Sequence, residues 1–174
     1  IQRTEIVTRD NYSFDLQTTI RNVDNPFDGV IGGNPNDTSP ADYKLVDLSV
    51  ICSNCKIPAP LNFTTLVGPH ALETASTNGA LFIQVFDANG IPIPNALVHI
   101  GNIQVIPIIS IDETTDTLGW IRIVDAPPGV NTYNITATKS GYTQDQTYPP
   151  GGIAGDNPIK PDSTVVVQQV TQTS

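Results

Sequence analysis

From Tyr12 to Ile20 apolar and polar positions alternate, with Tyr12, Phe14, Leu16 and Ile20 on one side of an extended chain. That period predicts a half-buried β-strand. It returns at 43–52, where Val46, Leu48, Val50 and Cys52 share a side, and at 61–67, where Leu61, Phe63, Thr65 and Val67 do. These two segments are expected to pair as a hairpin around 52–60. Between 21 and 42, Asn, Asp, Gly and Pro are so dense that no regular element fits. A loop of that length inside a domain calls for a reason.

Residues 68–79 keep neither period and read as a connector that includes His70, with one helical turn possible at 71–74. The strand pattern restarts at Ala80 and predicts further strands at 80–87, 96–100, 103–111, 119–124, 131–139 and 164–171, each bounded by Gly, Pro, Asn or Asp. In the second of these Ala96, Val98 and Ile100 face inward, while Leu97 and His99 face out. Short strands separated by frequent turns are the spacing of a β-sandwich. The expected fold class is all-β: a small N-terminal antiparallel β domain over residues 1–78, then an Ig-like or prealbumin-like β-sandwich over 79–174, with the apolar residues alternating into two cores.

Composition narrows the function. The 174 residues are 39% hydrophobic but only 14% charged, against about 25% in an ordinary domain. Eight Lys and Arg face seventeen Asp and Glu, a net charge of -9, so no cationic field attracts nucleic acid or an anionic bilayer. Polarity comes instead from twenty Thr and fourteen Asn. No run approaches the roughly 18 apolar residues of a membrane span. There is no Met, which suggests a processed product or a piece of something longer, with any anchor upstream. Two His, two Cys and four Lys are a thin supply of general bases and nucleophiles, and the expectation is a protein that is not an enzyme.

Cys52-Ser-Asn-Cys55 is the sharpest local motif. A C-x-x-C pair can be a redox dithiol, half a zinc site or a small disulfide ring. Redox activity favours a helix N-terminus, and zinc needs two more ligands, for which His70 and His99 are poorly placed. A disulfide closing the hairpin tip in an oxidising compartment fits the β-turn context better. The acidic loop offers Asp24, Asn25, Asp28, Asn34, Asn36, Asp37 and Asp42, hard oxygen donors suited to Ca²⁺. Asp24, Asp28 and Asp37 are the calcium candidates, against the plainer reading that these side chains cap their own turns. The acids at 112–116 read as a hairpin rim. Trp120, Tyr142 and Tyr148 would make a platform for sugar rings if they shared a surface. Asn11, Asn36, Asn62 and Asn134 sit in glycosylation sequons, which arise by chance in a chain this rich in Asn and Thr.

Val85-Phe-Asp-Ala-Asn-Gly-Ile-Pro-Ile-Pro-Asn-Ala-Leu-Val-His-Ile100, Thr115-Asp-Thr-Leu-Gly-Trp-Ile-Arg-Ile123, Ala126-Pro-Pro-Gly129 and Tyr133-Asn-Ile-Thr-Ala-Thr-Lys-Ser-Gly-Tyr142 follow one another. This succession resembles the carboxypeptidase regulatory-like sandwich domains, relatives of transthyretin-like and Cna-B-like surface modules. The resemblance implies a non-catalytic module. Some Cna-B relatives carry a Lys–Asn isopeptide bond between first and last strands, but here 80–87 has no Lys and 164–171 has no Asn, so no crosslink of that scheme is expected. Residues 43–52, 61–69 and Leu72-Glu73 are similar to the strand pair in type IV prepilin-like heads, in which case Ile1 to Thr8 would follow an absent anchoring helix. Together these imply an extracellular, cell-surface structural or adhesive module whose partners are other surface or filament subunits. The alternative is a carbohydrate-binding accessory module.

Overall fold

The computed structural model describes residues 2–56, 59–68, 75–153, 155 and 158–174. The connector's His70 and the helical turn expected at 71–74 lie outside the described residues. Among these residues twelve strands form three sheets, and no helix occurs.

The first sheet grows from a tight turn. Asp10 and Asn11 both take left-handed φ angles of 50° and 66°, the backbone a two-residue hairpin turn needs and one that Asp and Asn tolerate. They join β1 (Gln2–Arg9) to β2 (Tyr12–Val23), pairing Arg9 with Tyr12 through to Gln2 with Thr19. Residues 2–8 of the stretch expected to follow an anchoring helix are therefore part of a strand. Its side chains are all exposed and show no alternation, so the hydrophobic period carried no signal for it. β2 also runs three residues past Ile20. It pairs with β3 (Tyr43–Cys52), which pairs with β4 (Leu61–Val67) as the expected hairpin, and the order is β1-β2-β3-β4, all antiparallel.

The other eight strands are β5 (Gly79–Gln84), β6 (Leu97–Asn102), β7 (Ile109–Thr114), β8 (Trp120–Ala126), β9 (Gly129–Thr138), β10 (Asp145–Gln146), β11 (Ser163–Val165) and β12 (Val170–Thr173). They build a β10-β9-β6-β7 sheet, with β11 also on β9, and a β12-β5-β8 sheet. The inward residues of both sheets, Leu81, Ile83, Val98, Ile100, Ile121, Tyr133, Ile135 and Val165 among them, form one buried cluster. Ala96, Val98 and Ile100 are fully buried as expected, and Leu97 is exposed.

In this half β10 has no counterpart among the expected strands, β5 ends at Gln84 rather than 87, and the segments 103–111 and 164–171 depart furthest. The apolar stretch 103–108 is an open loop in which Ile103, Ile106 and Ile108 are exposed. β7 begins only at Ile109, because apolar residues with no facing sheet gain nothing from strand geometry. The segment 164–171 breaks at 166–169, with Gln168 at φ 53°. There the chain leaves β9, which β11 meets antiparallel, and joins β5, which β12 meets in parallel. Gly79 makes the crossing possible. A Cβ there would lie 2.1 Å from the Val166 carbonyl oxygen, closer than any side chain tolerates.

Two Asp-x-x-Gly turns repeat one device. Asp87 Oδ1 accepts the Asn89 and Ile91 N–H groups, and Asp116 Oδ1 accepts those of Leu118 and Trp120. These backbone donors hold both carboxyls below their ordinary range, led by Ile91 at Asp87 and by Trp120 at Asp116.

The expectation of two cores is corrected. Among the described residues the first sheet has no buried cluster of its own. Its one side gathers Val7, Phe14, Leu16, Ile20, Val46, Leu48, Val50, Leu61, Phe63 and Val67 by register, yet Leu61, Phe63 and Val67 remain 62, 57 and 49% exposed. The second buried cluster instead joins the halves. Ile31, from the long loop, packs with Ala80 and Val124, with Phe82 and Val170 alongside, on the outer side of the β12-β5-β8 sheet.

Candidate functional site

The loop from 24 to 42 lies between β2 and β3, whose register ends on Val23 opposite Tyr43. The next residues outward are Asp24 and Asp42, two acids set across from each other at the loop's mouth. Like charges at facing positions repel. Asp37, from the middle of the loop, joins them, and one carboxylate oxygen from each of the three lies within 4.8 Å of the others. Asp37 and Asp42 are buried, at 8 and 5% exposure.

Each carboxylate is half satisfied. Asp24 Oδ2 accepts the Ile31 N–H at 3.0 Å, Asp37 Oδ1 accepts the Ser39 N–H at 2.7 Å, and Asp42 Oδ2 accepts the Asn25 N–H. These bonds fix the carboxylates and do the turn-capping that Asx residues commonly do. The remaining oxygens, Asp24 Oδ1, Asp37 Oδ2 and Asp42 Oδ1, are sealed from solvent with no hydrogen-bond partner among the described residues. Burial pushes the Asp24 carboxyl above its usual range. The Ile31 N–H opposes that rise, and Asp37, Asp42 and Asp28 add to it. None of the ion pairs found among the described residues involves Asp24, Asp37 or Asp42.

The fold thus brings together two of the three calcium candidates and adds Asp42. Asp28 is exposed and acts on Asp24 only through its charge. Strand register is what singles out Asp42: it precedes β3 directly, a signal visible once 43–52 is read as a strand paired with 12–23.

Cys52 and Cys55 are disulfide-bonded, so neither is available as a thiol or a zinc ligand. The ring is seated on the β1–β2 turn. Asn54 accepts the Ser13 N–H through Oδ1 at 2.9 Å and donates to the Asn11 carbonyl at 2.9 Å, and Ser53 N–H donates to the Ser13 carbonyl.

The aromatic candidates share no groove. Trp120 lines a groove of about 530 Å³ between the halves with Leu45, Phe82 and Arg122. The Arg122 guanidinium lies 5.5 Å from the Trp120 ring centroid and 5.9 Å from that of Phe82. Tyr142 lines a different groove, also about 530 Å³, with Phe86 and Lys139. Tyr148 bridges to Pro161 and lines neither. His99 Nδ1 lies 2.7 Å from Asp112 Oδ1 across the β6–β7 pair, both side chains half exposed. Of the sequon residues, Asn134 has its amide engaged by Asp162 and Thr147.

Several contacts join the first sheet to the sandwich. Arg21 pairs with Glu113 at 3.2 Å and with Asp47 at 3.7 Å. Burial raises the Glu113 carboxyl, with Arg21 opposing. Asp125 accepts from Asn22 on one side and from Ser76 and Asn78 on the other.

No known protein family's profile matches the sequence, and no curated protein matches it. Among solved structures, the chain is similar to BcpA, the major pilin subunit of Bacillus cereus, with a TM-score of 0.35 and 16% identity over 75% of this chain and 37% of that one. A variant of the same pilin gives a TM-score of 0.35 and 15% identity, over 75% of this chain and 36% of that one. The chain therefore spans little more than a third of either.

Proposed function

We propose that this chain is a non-enzymatic structural module of an extracellular surface or filament protein, working in contact with neighbouring subunits. Its first half acts as a prepilin-like head and its second as a carboxypeptidase regulatory-like sandwich. The carrying observation is the first sheet. Its register collects an apolar side that the chain leaves largely open at β4, and among the described residues β1 and β4 are the sheet's unpaired edges. An apolar sheet side beside free edges is stable in service when another subunit covers it. The Cys52–Cys55 disulfide supports an oxidising, extracytoplasmic setting. The sandwich supports a mechanical role through its self-capped turns and the buried core between its two sheets.

Antibodies raised against the chain, applied to intact cells of its source, test this. Labelling of unpermeabilised cells, with the antigen recovered alongside subunits sheared from the surface, is the expected result. Antigen seen only after permeabilisation would overturn it. The glycan-binding alternative draws no support from three aromatics that share no groove.

A further inference from the structure

Three carboxylates facing one another, Asp37 and Asp42 buried and Asp24 half-buried, are an expensive arrangement, since a buried charge needs a partner or a bound metal. Here the backbone orients each group through one oxygen and leaves the other sealed and unpartnered. Asp37 and Asp42 are more than nine-tenths buried, so solvent is poorly placed to supply what is missing. The donors are hard oxygens alone. That chemistry selects calcium over zinc or copper, and calcium's flexible shell of six to eight oxygens accommodates carboxylates drawn from an irregular loop.

We propose that Asp24, Asp37 and Asp42 bind a calcium ion at the mouth of the 24–42 loop, and that the ion locks this loop onto the sandwich. The route of the coupling is short. Asp24 accepts the Ile31 N–H, and the Ile31 side chain is buried against Ala80 and Val124 of the second half. The Thr38 carbonyl, one residue from Asp37, accepts the Ser76 N–H at 2.8 Å. An ion that draws the three carboxylates together therefore holds these two attachments of the loop to 75–174. Without it, repulsion among the three acids pushes the loop's mouth apart.

The test uses the whole chain and calcium alone. Isothermal titration near neutral pH is expected to show one site with a Kd of about 10⁻⁴ to 10⁻³ M, the range of extracellular modules. Thermal unfolding in about 10 mM calcium chloride is expected roughly 3–10 °C above that in chelator. Asp37→Asn and Asp42→Asn should each weaken calcium binding by about tenfold or more, because each removes a charged ligand at a site of few ligands. Asp28→Asn should stay within about twofold, its carboxylate being outside the trio. Should the Asn variants fail to fold, the titration of the unaltered chain decides alone. No binding up to about 10 mM, an effect from Asp28→Asn as large as from Asp42→Asn, or equal protection by sodium chloride of matched ionic strength would each overturn the site.

Discussion

The two halves of this chain use the same local code and reach different energetic ends. In β3 the residues Val46, Leu48 and Val50 alternate as cleanly as Leu81 and Ile83 do in β5, and both strands sit at the interior of an antiparallel or mixed ladder. Yet Leu81 and Ile83 are 0 and 3% exposed, whereas the side chains around Val46, Leu48 and Val50 are only half buried and their neighbours on β4 are open. The difference is the second layer. β5 has the β9-β6-β7 sheet across from it, and the first sheet has none among the described residues. Alternation states which side of a strand would be buried; whether anything lies there is a property of how sheets stack. Among the described residues, the first half contributes to a buried cluster through Ile31, a loop residue with no periodic context at all.

That contrast is open to attack, most strongly by substitution. Ile100→Ala, in the fully buried sandwich core, is expected to cost about 2–5 kcal/mol in urea unfolding. Phe63→Ala, 57% exposed on β4, should cost under about 1 kcal/mol. Equal costs would mean that the first sheet is covered within the isolated chain. Alkaline titration tests the sandwich core in a second way. Tyr133 is fully buried, donates its hydroxyl to the Pro127 carbonyl at 2.6 Å, and has its pKa pushed up to about 12 by burial. Its neutral form is favoured in the folded state. The stabilisation is complete below the unfolded tyrosine's pKa near 10, and is lost as pH rises from there through about 12. The loss should be about 2–3 kcal/mol, and Tyr133→Phe should flatten the stability profile over that window. The smallest effect belongs to the first half. Reducing Cys52–Cys55 opens a very short ring, so it should cost at most about 2 kcal/mol. Hydrogen exchange should quicken at the Asn11–Ser13 and Ser53–Asn54 amides and leave β6 and β9 unchanged. Exchange that quickened equally in β6 and β9 would show the halves to be one cooperative unit.

Much of the fold was legible in the residues. The strands at 43–52, 61–67 and 131–139, the Asp87 and Asp116 turns and the inward set Ala96, Val98 and Ile100 all follow from short-range periodicity and turn chemistry, which act over a few bonds. The missed strand β1 is polar but for the adjacent Ile6 and Val7, which give no alternation, and was carried by pairing with β2. The overextended strand at 103–111 was apolar but for Gln104 and Ser110, and lost residues 103–108 to the absence of a facing layer. At the candidate site the chemistry was legible and the grouping was not: a loop holding seven Asp and Asn residues announces oxygen donors, but only the register of β2 on β3 sets Asp42 opposite Asp24 and leaves Asp28 outside.

By itself, then, the sequence determined the all-β class, the turn positions, the disulfide at the hairpin tip and the low, acidic charge that argues against a polyanion partner. These depend on backbone sterics, side-chain period and net charge, each readable from neighbours in the chain. The tertiary structure alone decided which apolar side found a cover, how the last segment crosses from β9 to β5 beside Gly79, that Ile31 pins the loop to the sandwich, and which three acids converge. Those outcomes depend on residues far apart in sequence arriving at one place, where sheet register and close packing, rather than local preference, set the distances.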